Sequence, residues 1–238
     1  MESESPPQPS PVPEAPPSGR WLKRIIKCVV GLLLFLALAA VFSPRVIRCR
    51  RKPDQTQATN NARQIGMALF EFEAEYGKFP DASTIATVKA KTGRNWTFGS
   101  ATSNDVFKQL IAAGIAQNEE MFYAKGKGVR KPDNRFESES DALAVGECGF
   151  AYIPMALDSN DSSAPIAVAP IIPGTFKFDP EPFDGKAVVL RADNSVQSYS
   201  IASDGHVIAP GGKDIFDPSQ PWWHGKPPFV FWPAVLPR

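Results

Sequence analysis

At 238 residues and a net charge of +1, the chain has room for one short extension and one globular domain of moderate size. Residues 20–52 hold nine Lys or Arg and no acid, whereas residues 53–238 hold 17 basic and 22 acidic side chains, a balance of −5. The folded part therefore lacks the basic patch that nucleic-acid binding requires, and no nucleic-acid partner is expected. The three cysteines are widely spaced, which argues against a disulfide scaffold.

The N-terminal region combines a Pro-rich tail with an apolar run. Residues 1–19 contain too few apolar side chains to form a core, so they are predicted to be a disordered, Pro-rich tail. Residues 25–42 are apolar except for Lys27, and a membrane-spanning helix needs roughly 20 apolar residues, with about 17 as the lower limit. Residues 20–44 are therefore predicted to be a transmembrane anchor, with the lipid bilayer as its partner.

A cleaved signal peptide is the alternative interpretation of the same run. Residues 37–40 include the small side chains that precede a cleavage site, and the basic residues before the run suit such a peptide. The long Pro-rich leader favours the retained anchor.

An amphipathic helix is predicted after the anchor, within residues 45–80. Its apolar positions recur at spacings of 4, 3, 4, 3 and 4, which is the period of one helical face. These positions are Ala58, Ala62, Ile65, Leu69, Phe72 and Tyr76. Gly77 favours a left-handed end to the helix, and Pro80 prevents its continuation.

Residues 81–238 carry helical patterns first and strand patterns after them. Short helices are predicted over 83–92 and 104–113. The predicted strands are residues 149–156, 166–169, 186–191 and 196–201. Pro165 and Pro170 flank the second strand and predict that it lies at an edge of the sheet. This order of elements predicts an α+β head with an antiparallel sheet.

The C-terminal residues, 217–233, are rich in Trp, Phe and Pro, which excludes a regular helix or a central strand. One interpretation is an extended strap that covers the sheet or the long helix. The other is an exposed aromatic surface that binds a ligand, since Trp and Tyr favour recognition.

Residues 61–80 read Asn-Ala-Arg-Gln-Ile-Gly-Met-Ala-Leu-Phe and end in Tyr-Gly-Lys-Phe-Pro. This segment resembles the stem helix of type II secretion pseudopilins and other bacterial pilin-like proteins. The resemblance implies an α+β fold in which an N-terminal transmembrane helix continues into a stem helix packed on a small antiparallel sheet. It also implies a single-pass protein of the bacterial inner membrane, with residues 1–19 as a cytoplasmic tail and a periplasmic head. Its expected partners are pilin-like or secretion-system proteins.

The start of the chain departs from the family pattern. Residues 19–24 read Gly-Arg-Trp-Leu-Lys-Arg and lack the Glu that recruits family members into a growing fibre. The resemblance therefore implies a membrane tether in preference to a subunit that polymerises into a fibre.

A second similarity concerns residues 199–217. Tyr-Ser-Ile-Ala-Ser-Asp-Gly followed by Gly-Gly-Lys-Asp-Ile is similar to the calcium loop of the major pseudopilin. The resemblance implies calcium ligands at Asp204 and Asp214, and Asp217 is near enough to add an oxygen; calcium prefers such oxygen ligands. A surface hairpin with Asp204 and Gly205 at its corner explains the same residues without a metal.

No catalytic motif accompanies these features. The two histidines, His206 and His224, show no metal-ligand spacing, and there is no nucleophile elbow or phosphate-binding glycine loop. A structural or interaction role is therefore predicted, not an enzyme. The alternatives are an anchored envelope binding module that uses the C-terminal aromatics, and an anchored hydrolase.

Overall fold

The computed structural model describes residues 23–35, 51–154 and 161–237, without the side chains of residues 51 and 52. The chain divides into two compact units, residues 1–48 and residues 49–238.

In the first unit the described residues form a helix, α1, over residues 23–35, and all its side chains are exposed. The described part of α1 rises about 20 Å, whereas the hydrocarbon core of a bilayer is about 30 Å thick. Across the described ranges, no helix has the length and apolar character needed to cross a membrane. The predicted transmembrane helix is therefore wrong, and with it the membrane-anchored fold class and the single-pass inner-membrane location. Contact with a lipid bilayer stays a prediction. Residues 1–22 and 36–50, which carry the predicted tail and part of the predicted anchor, lie outside the described residues.

In the second unit the long helix α2 spans Arg51–Tyr76. The predicted apolar face is confirmed, since Ala62, Ile65 and Leu69 are fully buried. The predicted end of the helix is also confirmed. Gly77 adopts φ +83° and its N–H donates to the carbonyl of Glu73 at 2.7 Å.

Two shorter helices follow, close to their predicted positions. α3 spans Ile85–Thr92 and ends at Gly93 in the left-handed conformation. α4 spans Ser103–Ala112 and begins with a capping box, in which the side chains of Thr102 and Asp105 each accept from the other's backbone N–H.

The sheet is a four-stranded antiparallel meander in the order β1-β2-β3-β4. The strands are β1 (Ala151–Tyr152), β2 (Pro165–Ala169), β3 (Lys186–Arg191) and β4 (Val196–Ser200). The predicted hairpin is confirmed by the β3–β4 register, which runs from Leu190 opposite Val196 to Lys186 opposite Ser200. The α+β class of this unit is likewise confirmed.

The predicted edge position of β2 is wrong, because β2 pairs with β1 on one side and with β3 on the other. Pro165 is the first residue of β2, at a shift in register, and Pro170 follows the last residue. Neither proline therefore removes a hydrogen bond from the middle of the ladder.

The apolar face of α2 packs on β3 and β4. Gly66 makes this approach possible. A Cβ atom at Gly66 would lie 1.9 Å from the side-chain oxygen of Asn194 and 3.1 Å from Cδ1 of Leu190. Asn194 belongs to the turn between β3 and β4 and has φ +62°.

The C-terminal strap, residues 217–237, continues the sheet beyond β1. Tyr152 and Phe231 exchange two backbone hydrogen bonds of 3.0 and 2.8 Å. Farther along, the N–H of Leu236 donates to the carbonyl of Gly128, and the N–H of Gly146 donates to the carbonyl of Ala234. The strap therefore closes one edge of the sheet. It also holds in place the irregular segment between the 3-10 helix Glu120–Phe122 and β1.

Gly66→Ala should lower the free energy of unfolding by about 1–3 kcal/mol, because the added methyl group overlaps the side chain of Asn194. Adding Asn194→Gly should restore most of the loss, since glycine suits the positive φ and the removed oxygen has no hydrogen-bond partner. Denaturant unfolding of the two single variants and the double variant gives the coupling energy.

Gly149→Ala serves as the contrast. The Cβ of the new alanine would lie 2.0 Å from the backbone oxygen of Ala124. A larger loss of unfolding free energy is therefore expected, and no side-chain truncation should relieve it.

Additive effects of Gly66→Ala and Asn194→Gly on the free energy of unfolding would contradict the proposed overlap.

Candidate functional site

The predicted calcium loop lies in an irregular hairpin held by isolated bridges from Ile201 to Val207 and from Ile208 to Asp214. Hydrogen bonds within the hairpin already reach its carboxylates. Oδ2 of Asp214 lies 2.8 Å from Nδ1 of His206, and Asp204 accepts from the backbone N–H of His206 at 3.1 Å.

Local hydrogen bonds favour the ionised forms of two of these groups. The backbone N–H of His206 lowers the pKa of Asp204, and the backbone N–H of Ser219, with its hydroxyl, lowers the pKa of Asp217. Among the described residues, Asp204, Asp214 and Asp217 do not belong to any group of three or more metal-ligating side chains whose ligand atoms all lie within 4.8 Å of one another. Because calcium also accepts backbone carbonyls and water as ligands, binding at this loop stays a prediction.

The carboxylates that do converge are Glu119, Asp133 and Glu147. One oxygen of each lies within 4.8 Å of those of the other two. Glu119 and Glu147 are fully buried, whereas Asp133 is exposed. We call these three residues the acidic cluster. The cluster extends from the interior of the fold to its surface.

Backbone amides hold the two buried carboxylates in place. The N–H of Leu143 donates to Oε1 of Glu119 at 2.5 Å, and the N–H of Ala144 donates to Oε2 of Glu147 at 2.8 Å. Consecutive amides therefore orient two carboxylates that come from different segments of the chain.

The second oxygen of each of these two carboxylates lacks a hydrogen-bond partner. Nη2 of Arg130 lies 3.0 Å from Oε1 of Glu147, at ion-pair distance but outside hydrogen-bond geometry. Oε2 of Glu119 is buried and has no hydrogen-bond partner. Burial raises the pKa of Glu119 to about 7; the Leu143 N–H opposes the rise, and the charges of Glu147 and Asp133 add to it.

Sequence reasoning missed the acidic cluster. Glu119, Asp133 and Glu147 come from three irregular segments without a shared motif, so no spacing pattern brings them together. One local signal lies beside Glu147. Cys148 is fully buried, and burial raises the pKa of its thiol to about 11.

The aromatic residues of the strap are mostly buried. Trp222 and Trp223 both donate their indole N–H to the carbonyl of Ile215, at 3.2 and 2.7 Å. Phe231 is buried as well, whereas Phe229 is 51% exposed. The predicted strap is thus confirmed as a covering segment, and Phe229 is the large aromatic that it presents to solvent.

A cleft of about 420 Å³ lies beside the end of the strap. Val235 and Leu236 form one wall, and residues 170–173 form another. Lys127 and Glu181 add opposite charges at this cleft. Its size and mainly apolar lining are typical of small-ligand sites.

The outer face of α2 forms a continuous exposed stripe opposite its buried face. The members of this stripe are Thr56, Asn60, Arg63, Met67, Glu71 and Ala74. Met67 lies at its centre and is 56% exposed.

No protein-family model matches the chain, and neither a curated protein nor a solved structure is significantly similar to it. The resemblance to pseudopilins therefore rests on the residues quoted above.

In buffer that contains a chelator, Glu119→Gln should stabilise the protein at pH 8 and change little at pH 4. The folded chain retains a proton on Glu119 up to pH about 7, whereas the unfolded chain releases it near the ordinary value of 4.5. The contribution of Glu119 to the free energy of unfolding therefore falls as the pH rises from 4.5 to about 7, and it stays low at higher pH. We expect a gain of about 1–2 kcal/mol at pH 8, measured by denaturant unfolding.

Glu137→Gln, at an exposed position outside the acidic cluster and outside the stripe of α2, is the matched control and should change the free energy of unfolding little at either pH. Equal effects of Glu119→Gln at pH 4 and pH 8 would rule out the raised pKa.

Proposed function

We propose that the chain is a pilin-like structural or interaction protein whose unit 49–238 binds another pilin-like chain through the exposed stripe of α2. The observation that carries this proposal is the division of α2 into two faces. One face is buried on β3 and β4, and the other is exposed along the whole length of the helix. The order of a long helix followed by an antiparallel meander agrees with the resemblance of residues 61–80 to pilin-like stem helices.

Charges on the stripe suit a second copy of the chain as the partner. Arg63 and Glu71 lie four residues before and four residues after Met67, on the same helical face. When two α2 helices cross antiparallel at Met67, Arg63 of each copy faces Glu71 of the other. Exposed ion pairs contribute at most about 1 kcal/mol each, so they set the orientation while contact around Met67 adds apolar burial.

A small-ligand binding module is the second candidate, favoured by the cleft that Val235 and Leu236 line. The predicted module bound its ligand through the aromatic residues of the strap. Since Trp222 and Trp223 are buried, the binding surface in this case is the cleft beside the aliphatic end of the strap.

A photo-crosslinking amino acid placed at Met67 of the full chain should give a covalent dimer, because this position lies at the centre of the proposed contact. Ile208, which is 46% exposed, is the matched control position and should give none. Gel mobility and mass spectrometry of the crosslinked peptides would identify the product.

Arg63→Glu should lower the yield at Met67, and adding Glu71→Arg should restore it, because the double variant keeps the charges complementary. The proposal does not survive if Met67 and Ile208 crosslink equally, or if neither gives a dimer. Saturable crosslinking of a small ligand at Leu236, which lines the cleft, without crosslinking at Met67 would favour the binding module.

A further inference from the structure

We propose that the acidic cluster of Glu119, Asp133 and Glu147 is a calcium site that ties three irregular segments of the fold together. This proposal goes beyond the interaction through α2 and involves different residues.

The geometry of the acidic cluster suits calcium. Calcium binds oxygen ligands at about 2.3–2.6 Å, so two ligands of one ion are at most about 5 Å apart. The converging oxygens of Glu119, Asp133 and Glu147 lie within 4.8 Å of one another, which meets this condition. The donors are carboxylates without a Cys or His, and such a set favours a hard cation over zinc.

The charge at the acidic cluster also calls for a cation. Three carboxylates are accompanied by the single ion pair from Arg130, whose side chain is 48% exposed. Leaving a buried charged group without a partner is costly, yet Oε2 of Glu119 is buried and lacks a hydrogen-bond partner. A cation beside this oxygen would satisfy it.

The acidic cluster is preorganised on one side and open on the other. The amides of Leu143 and Ala144 fix Glu119 and Glu147, so these carboxylates need no rearrangement to act as ligands. Asp133 is exposed and gives the ion a path from solvent. Water can supply the remaining ligands on that side.

Calcium at this site would affect the C-terminal strap. The backbone N–H of Arg130 donates to the carbonyl of Gly146 at 2.8 Å, and the N–H of Gly146 donates to the carbonyl of Ala234 at 2.7 Å. An ion that joins residues 119, 133 and 147 would therefore also hold the segment on which the strap lies.

The test is a thermal melt of the purified full chain at pH 7.5, stripped with a chelator and then titrated with calcium chloride. Millimolar calcium should raise Tm by at least about 4 °C, because an ion that binds only the folded state stabilises it. Magnesium should act more weakly, since it requires shorter bonds and a near-octahedral shell. Isothermal titration calorimetry would give the stoichiometry, for which one ion per chain is expected.

Asp133→Asn and Asp217→Asn distinguish the acidic cluster from the hairpin of residues 204–217. Asp133 is exposed, so its variant should fold, and it should weaken calcium binding at least about tenfold through loss of a charged ligand. Asp217→Asn should keep the calcium response. Hydrogen exchange should show that calcium protects the amides of Gly146 and Leu236 in the wild type but not in Asp133→Asn.

Each other result overturns the proposal. If Asp217→Asn loses the response while Asp133→Asn retains it, calcium binds the hairpin instead. If calcium changes neither Tm nor hydrogen exchange in the wild type, the acidic cluster holds a proton in place of a metal ion.

Discussion

The seating of α2 on the β3–β4 hairpin is the contact on which the rest of unit 49–238 depends. Gly66 allows the helix to approach the turn at Asn194, so the apolar side chains before and after it reach the sheet. The helix covers the face of β3 that carries Leu190. Both faces of this strand are buried, with Ala187 and Val188 fully inaccessible to solvent. A helix that stood farther from the hairpin would leave part of this core open, and packing this dense tolerates little displacement.

In the irregular segments, buried polar side chains supply the hydrogen-bond partners that backbone groups find within helices and strands elsewhere. Asn104 donates to the carbonyls of Leu143 and Ala144 and accepts from the N–H of Ala234. Asn61 likewise donates from α2 to the carbonyl of Glu120. Backbone groups that lie away from both water and secondary structure need such partners. The acidic cluster belongs to the same region, and its carboxylates cap neighbouring amides in the same way.

Two surfaces of this unit have different chemical character. The exposed stripe of α2 is long and mainly polar, with Met67 at its centre, and suits contact with another helix. The acidic cluster is compact and consists of three carboxyl groups, one of them exposed, and suits a small cation. Their separation in sequence and composition means that association and ion binding can be examined independently.

The sequence by itself determined the elements whose evidence is periodic. The apolar spacing of α2, the glycine at its end and the β3–β4 hairpin follow from side-chain patterns within one segment, and the structure agrees with them. The sequence misplaced β2 at an edge, because a proline removes only the hydrogen bond of its own backbone nitrogen. It also predicted a membrane-spanning helix, and no helix among the described residues is long and apolar enough for that. Tertiary structure alone decided where the strap lies and that Glu119, Asp133 and Glu147 meet. Contacts between residues far apart in sequence leave no local pattern, since they depend on how the whole core closes.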